Sequence, residues 1–338
     1  MSIYTPKFDL GKGVVASCIY AGYPHRTCAR GLEVLLFSKL RDFLKKYLAF
    51  CGYDEEGIYF RIDAYLNPEI APSSYLNILE INAHFVDGWG TALNLSRAAG
   101  FPVERARTVK FPAYWACRDL AYLPELELAV QELNYLGHYA EVVFPPYTGF
   151  HDRELYVYGR PDHHPLIRPA HGRALDNKMN LARFSRALSP SKYPWEQGVV
   201  IPRFYFQETT PWEELPENVV FKFCDKTGPE ATRARSSVLF RDQVGKGKFV
   251  RRCYAEQTVV AQEFVASAEE RISPPVNGED EFWDSAKQVV ILTAGATPIT
   301  GYLQLAPRGK RIINDNSIHA PILIDDFSYR GSSFGGHD

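Results

Sequence analysis

Two short stretches restrict this chain more than any other feature. Residues 57–66, GIYFRIDAYL, alternate with a period of two: Ile58, Phe60, Ile62 and Ala64 fall on one face, and Tyr59, Arg61, Asp63 and Tyr65 on the other. Successive side chains of a strand point to opposite sides, so the pattern predicts a half-buried strand with charge on its open face. Residues 75–83, YLNILEINA, predict a second strand, reached through a loop with Pro68, Pro72 and two serines. Arg61 and Asp63 lie two apart and share a face, as do Glu80 and Asn82. If the strands are neighbours, three oxygen-bearing side chains and a guanidinium converge. Such oxygens suit Mg²⁺, which completes its shell with waters and phosphates. An arginine beside them can hold a phosphate through two parallel hydrogen bonds. The same pattern also fits a plain surface sheet face closed by a salt bridge.

The rest of the chain can supply a core for such a sheet. Its 338 residues suggest one large domain or two to three intertwined ones, at roughly 100–200 residues each. Apolar residues at 46% and charged residues at 23% exclude a disordered, collagen-like or coiled-coil chain. With 38 Lys+Arg against 40 Asp+Glu, net charge gives no bulk reason to expect nucleic acid or an anionic membrane as partner. The six cysteines include no CxxC pair and read as free thiols of a reducing compartment. Residues 1–10 contain Pro6, Lys7 and Asp9 and no apolar core, so no signal peptide is expected. No run approaches the roughly 18 apolar residues of a membrane span. A cytoplasmic location follows as the expectation.

Residues 31–50 carry Leu35, Leu36, Leu40, Phe43, Leu44 and Leu48 at helical spacing, with basic residues on the other face. The segment FVDGWG leads into a short helix at 91–99. Helices are also expected at 126–135 and 180–188. Strands are expected at 140–144, 154–158, 219–224, 237–240, 258–265, 288–293, 299–305 and 311–314. The order reads as α+β at both ends around an α/β-like middle.

Several familiar sites are absent. Gly245-Lys246-Gly247-Lys248 lacks the Walker A spacing, Gly11-Lys12-Gly13 is no dinucleotide fingerprint, and there is no G-x-S-x-G. Kinases place their lysine before the metal residues and carry H-R-D and D-F-G motifs; neither motif is present. Asp162, His163, His164 and His171 cluster loosely, and adjacent histidines on a strand face opposite ways. That spacing favours a polar loop or substrate contacts over a zinc site.

Lysines in unusual company complete the set. Lys222 stands inside the apolar strand VVFKFC, where a buried ammonium needs an anionic partner. The polar stretch DKTGPEATRARSS follows, with Lys226, Gly228, Arg233 and Arg235, the composition of a mobile lid over phosphates. Lys178, in LDNKMNLARFS, precedes a helix. Gln262 and Glu263 end the apolar strand TVVAQEFV, where backbone groups could face an adenine edge.

Taken in order, these segments resemble the ATP-grasp synthetase domain of the glutathionylspermidine synthase family. The matching islands are Arg61-Ile62-Asp63, Leu79-Glu80-Ile81-Asn82-Ala83, Asn177-Lys178, Val219-Val220-Phe221-Lys222, Gln262-Glu263 and Ile312-Ile313-Asn314, spread over about residues 55 to 325. Ordinary ATP-grasp enzymes carry the lysines first and the metal carboxylates last; here the carboxylates come first, as in that rearranged family.

The resemblance implies an α+β ATP-grasp fold with a small α/β substrate-side domain. It implies residues 1–100 for the metal-bearing part, 101–176 for the α/β subdomain, 177–270 for the lid and 271–338 for the return to the metal-bearing part. Asp63, Glu80 and Asn82 would hold Mg²⁺, and Arg61 the transferring phosphate. Lys178 and Lys222 would contact ATP phosphates, and Gln262, Glu263, Phe264 and Val265 would line the adenine.

The implied activity joins a small-molecule or peptide carboxylate to an amine, with ATP and Mg²⁺ as cofactors and neither nucleic acid nor membrane as partner. The alternative is a nucleotide-binding protein that has lost ligase activity. Three departures fall at the phosphate and substrate ends. The loop lacks the Gly-Arg-Glu-Gly type of sequence, Gln304 stands where the family has an arginine, and His-Phe-Val-Asp-Gly-Trp-Gly follows Ala83. Either a nearby cation such as Arg233 or Arg235 supplies the missing charge, or the enzyme is slow.

Overall fold

The computed structural model describes residues 8–9, 15–16, 35–53, 58–67, 75–83, 86–98, 103–117, 120–145, 155–158, 175–188, 199–225, 229–234, 238–241, 246–267, 269–272, 283–307 and 318–322. In chain order they form β1 (Phe8–Asp9), β2 (Val15–Ala16), α1 (Leu35–Phe50), β3 (Tyr59–Asn67), β4 (Tyr75–Asn82) and α2 (Trp89–Ala98). Next come α3 (Glu104–Thr108), β5 (Tyr114–Cys117), α4 (Leu123–Tyr135), β6 (Glu141–Val143) and β7 (Leu155–Tyr158). There follow α5 (Lys178–Ala187), β8 (Val199–Val200), β9 (Phe204–Tyr205), β10 (Val219–Phe223), α6 (Pro229–Ala234), β11 (Val238–Phe240), α7 (Gly247–Ala255) and β12 (Val259–Glu263). The last described elements are β13 (Glu269–Ile272), β14 (Trp283–Ala294), β15 (Thr297–Pro307) and β16 (Ile318–Pro321).

The arrangement is mixed α/β. A nine-stranded sheet runs β1-β2-β16-β15-β14-β3-β4-β8, with β13 also on β14. Its middle strand β14 reads VVIL at 289–292, apolar without alternation, because both faces are covered. Val289 and Ile291 join the core under α1 and α5, while Val290 and Leu292 join the core under α2 and α4. The β14–β15 hairpin turns on two residues, with Gly295 at φ +54°, where a side chain would be strained. Helix α1 buries Leu40, Phe43, Leu44, Tyr47 and Leu48, the spacing read from the sequence. Each such side chain contributes about 1.5–3 kcal/mol. The helix ends at Gly52, φ +78°.

A second sheet, β11-β10-β12-β9, packs α7 on one face through Phe221, Phe223, Val250, Cys253 and Tyr254. A third, β6-β5-β7, is parallel. Three expectations need correction. The stretch after Lys222 is not loop throughout, since α6 forms within it and buries Ala231 and Ala234. The stretch after Arg241, for which no element was expected, contains the amphipathic helix α7. Helix α2 starts at Trp89, two residues early, and its N-terminal amides are met by Glu125 from α4. Residues 311–314 lie outside the described residues, as do the histidines at 163, 164 and 171.

Candidate functional site

Strands β3 and β4 pair antiparallel with Arg61 opposite Asn82 and Asp63 opposite Glu80. All four side chains leave the sheet on one face. The register then shifts, because Ala64 pairs with Ile78, so Leu79 is the extra residue of a β-bulge. The bulge decides which side chains are wet. Leu76, Ile78 and Ile81 all enter the core under α1, and a regular strand could not send positions two and then three apart to the same side. Without the extra residue, Glu80 would point into that core.

The four polar side chains are bonded to one another. Arg61 Nε donates to Asp63 Oδ1 at 2.9 Å and its Nη2 to Asp63 Oδ2 at 3.0 Å, a two-pronged pair. Its Nη1 donates to Asp87, just ahead of α2. Asn82 Nδ2 donates to Asp63 Oδ2 at 3.0 Å and to Glu80 Oε1 at 2.9 Å. One NH₂ group therefore stands where the two carboxylates meet. Burial works against the charge of Arg61, but Asp63 and Asp87 outweigh it and hold its pKa well above the ordinary value.

Two lysines approach β4 from its outer edge. β8 covers that edge only at Leu76 and Asn77, so the carbonyls beyond need other donors. Lys222 Nζ donates to Leu79 O at 2.7 Å. Lys178 Nζ donates to Ile81 O at 2.8 Å, to Asp176 Oδ1 at 2.7 Å and to Asn82 Oδ1 at 3.3 Å, and lies 3.8 Å from Glu80 Oε2. An ammonium has three hydrogens, and these three acceptors match them. Asn177 caps α5 by accepting from Met179 N at 2.9 Å, which makes Lys178 the first helical residue. Lys178 N also donates to Cys224 O at 3.2 Å, tying α5 to the end of the Lys222 strand.

The expected nucleotide residues are split by strand geometry. Lys222 and Gln262 share the face of the second sheet turned toward β4, since Lys222 pairs with Val260 and Val220 with Gln262. Gln262 is 1% exposed, and its Nε2 has no hydrogen-bond partner among the described residues. Glu263 points to the opposite face, while Val265 packs with Leu79 against Tyr65. The ring of Phe264 meets Phe240 edge-on. Arg233 is exposed on α6, and Arg235 lies outside the described residues.

Beyond Arg61 the same sheet face carries residues that the sequence reading passed over. Tyr302 pairs across from Val290, itself opposite Asp63, and Gln304 pairs with His319. Gln304 Nε2 lies 3.5 Å from His319 Nε2, and the His319 ring lies 4.9 Å from the Tyr302 ring. His319 is buried and its Nδ1 has no hydrogen-bond partner among the described residues. Burial, helped by Arg61, lowers its pKa to about 4. Among the described residues, Arg61 is the cation whose field reaches His319. Glu125 is buried too, and burial with Asp87 nearby pushes its pKa up to about 8 despite hydrogen bonds from the α2 amides. Asp87 and Asp176 carried weak signals, an acid straight after the β4 motif and an Asp-x-Lys at a helix start. Tyr302, His319 and Glu125 carried none, because only tertiary pairing brings them to Arg61.

The donor set was tested against Mg²⁺. No group of three or more His, Cys, Asp or Glu is placed to hold a metal among the described residues. Here two carboxylates converge within reach of one atom, and an amide oxygen is the third donor. That set suits a hard cation in chemistry, while in position the amide nitrogen of Asn82, not its oxygen, faces the two carboxylates. Among the described residues the bonded network holds four carboxylates (Asp63, Glu80, Asp87, Asp176) and two cations (Arg61, Lys178), an excess of two negative charges. Counting Lys222 leaves an excess of one. A site so charged accepts a polyphosphate only together with a cation.

No protein-family model matches the chain, and no curated protein matches it. Solved structures that resemble it include a glutathione synthetase-like effector from Globodera pallida in its apo form. That match has 11% identity, 92% of this chain and 89% of that chain covered, and a TM-score of 0.44. Another is a protein designated gamma-glutamylcysteine synthetase from Methylobacillus flagellatus KT. That match has 12% identity, 89% and 85% covered, and a TM-score of 0.42. Scores this low decide nothing about the site, whose reading rests on its side chains. Among the described residues no helix is long and apolar enough to cross a membrane, and Cys51, Cys117, Cys224 and Cys253 are free thiols.

Proposed function

We propose that this chain is an ATP- and Mg²⁺-dependent carboxylate–amine ligase of the ATP-grasp type. It would work through an acyl phosphate and release ADP and phosphate. The observation that carries the reading is the convergence on β4. Glu80 and Asn82 face Asp63 and Arg61, while two lysines from distant elements reach the carbonyls of Leu79 and Ile81. A surface salt bridge needs none of that second layer.

The chemistry follows from the carboxylate, a poor acyl donor because oxide would have to leave. Phosphorylation supplies a good leaving group, and an amine then displaces phosphate. Mg²⁺, held by Asp63, Glu80 and Asn82, would neutralise charge on the phosphates when bound. Arg61 grips the transferring phosphoryl group and Lys222 the neighbouring phosphates. Lys178 reaches a phosphate only by releasing one of its three acceptors. Gln262 offers a buried N–H donor to an acceptor on the base, which is favourable because an unmet buried donor costs about 1–3 kcal/mol.

A second reading is favoured by one observation. Gln304, where an arginine would face the substrate, is turned to His319. A nucleotide-binding protein without ligase activity would tolerate that. An ADP-release screen with ATP and Mg²⁺ against pools of carboxylates and amines separates the two. Carboxylate-dependent ADP supports the ligase. ATP binding without turnover supports the second reading, and stoichiometric AMP would move the protein to an adenylating class.

A further inference from the structure

A guanidinium has two usable edges. In Arg61 the Nε–Nη2 edge is filled by both oxygens of Asp63. The remaining edge is the one an incoming oxyanion would take, and its Nη1 is bonded to Asp87. We propose that Asp87 is a built-in competitor that occupies the anion position on Arg61 and must swing away before a phosphoryl group can dock there. This deepens the ligase reading, since it rests on Arg61 being the phosphate grip, and it adds regulation of that site by the FVDGWG segment.

One feature supports a movable side chain at Asp87, and two others set the backbone and the charges around it. The side chain of Asp87 is 25% exposed, against 6% for Asp63, so it has somewhere to go. Gly88 follows at φ +94°, a backbone state that L side chains rarely adopt. Any Cβ there would come within 2.8 Å of Tyr302 Oη, so residue 88 must lack one. The amides at the start of α2 are already engaged by Glu125, whose carboxylate lies near enough to act on Asp87 electrostatically when charged. Asp87 is thus held on Arg61 by its pairing with Nη1, and an arriving dianion competes for that one edge. The coupling is reciprocal: whatever Asp87 contributes to Arg61, the anion must overcome.

The experiment uses the full chain and two probes, inorganic phosphate and Mg·ATP, followed by calorimetry and by ligand-induced shifts in melting temperature. Asp87→Asn should bind phosphate about tenfold more tightly than the natural protein, the size of a typical coupling between sites. Asp87→Glu, which keeps the charge, should stay gated. Adding Arg61→Gln to Asp87→Asn should abolish the gain. If Asp87→Asn binds phosphate no better, or binds it worse, with its circular dichroism unchanged, the proposal is overturned. It is overturned equally if Asp87→Asn fails to fold while Asp87→Glu loosens phosphate binding, for then Asp87 is a structural support. If the phosphate results stand but no variant binds Mg·ATP, the gate survives and the ligase reading falls.

Discussion

Lys222 donates from Nζ to the carbonyl of Leu79 at 2.7 Å, and Leu79 is the extra residue of the bulge that turns Glu80 out of the core. A lysine on one sheet thereby meets a carbonyl on the outer edge of another, beyond the two residues that β8 covers. The contact joins the strand expected at the phosphates to the strand expected at the metal.

Replacing that lysine should separate its two roles. Lys222→Met keeps the aliphatic stem but leaves the part-buried Leu79 carbonyl without this donor, at a cost of about 1 kcal/mol in denaturant titration. ATP affinity should fall at least about tenfold, as for loss of a charge-assisted contact. Unchanged affinity in calorimetry would remove Lys222 from the nucleotide site.

Glu80→Gln and Asn82→Ala should behave differently from each other. Glu80 is partly exposed and its loss should spare the fold while reducing Mg²⁺-dependent turnover by about 10²–10³. Asn82 separates two carboxylates, so Asn82→Ala should also destabilise the protein, and added Mg²⁺ should restore part of its melting temperature. Full turnover in both variants would dismiss the metal assignment.

Glu125 sets a pH dependence. Its folded pKa of about 8 lies above the ordinary 4.5, so the folded state binds the proton more tightly than the unfolded chain. Its stabilising contribution is complete below about 4.5 and is lost as pH rises through 8. Glu125→Gln can still accept from Thr91 N and should flatten that decline, gaining a few kcal/mol at pH 9. A variant whose stability profile runs parallel to the natural one would show that Glu125 is not the group.

His319 acts in the other direction. Its folded pKa of about 4 lies below 6.5, so the stability it contributes is present above 6.5 and lost as pH falls toward 4. His319→Gln should remove that acid-side slope while leaving stability at pH 7.5 within about 1 kcal/mol. Urea midpoints between pH 4 and 7.5 test it.

The sequence by itself determined several of the elements and which residue types share a strand face. Period two at 58–65 and helical spacing at 35–48 recur as β3 and α1, because local burial patterns need nothing distant to be read. The pairing of residue types at 61, 63, 80 and 82 was likewise legible, since residues two apart on a strand share a face. Tertiary structure alone decided three matters. The bulge at Leu79 lets Ile78 and Ile81 face one core, a break of phase that YLNILEINA shows but cannot interpret without its partner strand. The helix inside the stretch after Lys222 forms because Ala231 and Ala234 find a core on β10 and α7, against the turn-forming composition around them. Tyr302 and His319 come within electrostatic reach of Arg61 only because β3, β14, β15 and β16 lie side by side, which brings together residues more than two hundred apart that no local pattern links.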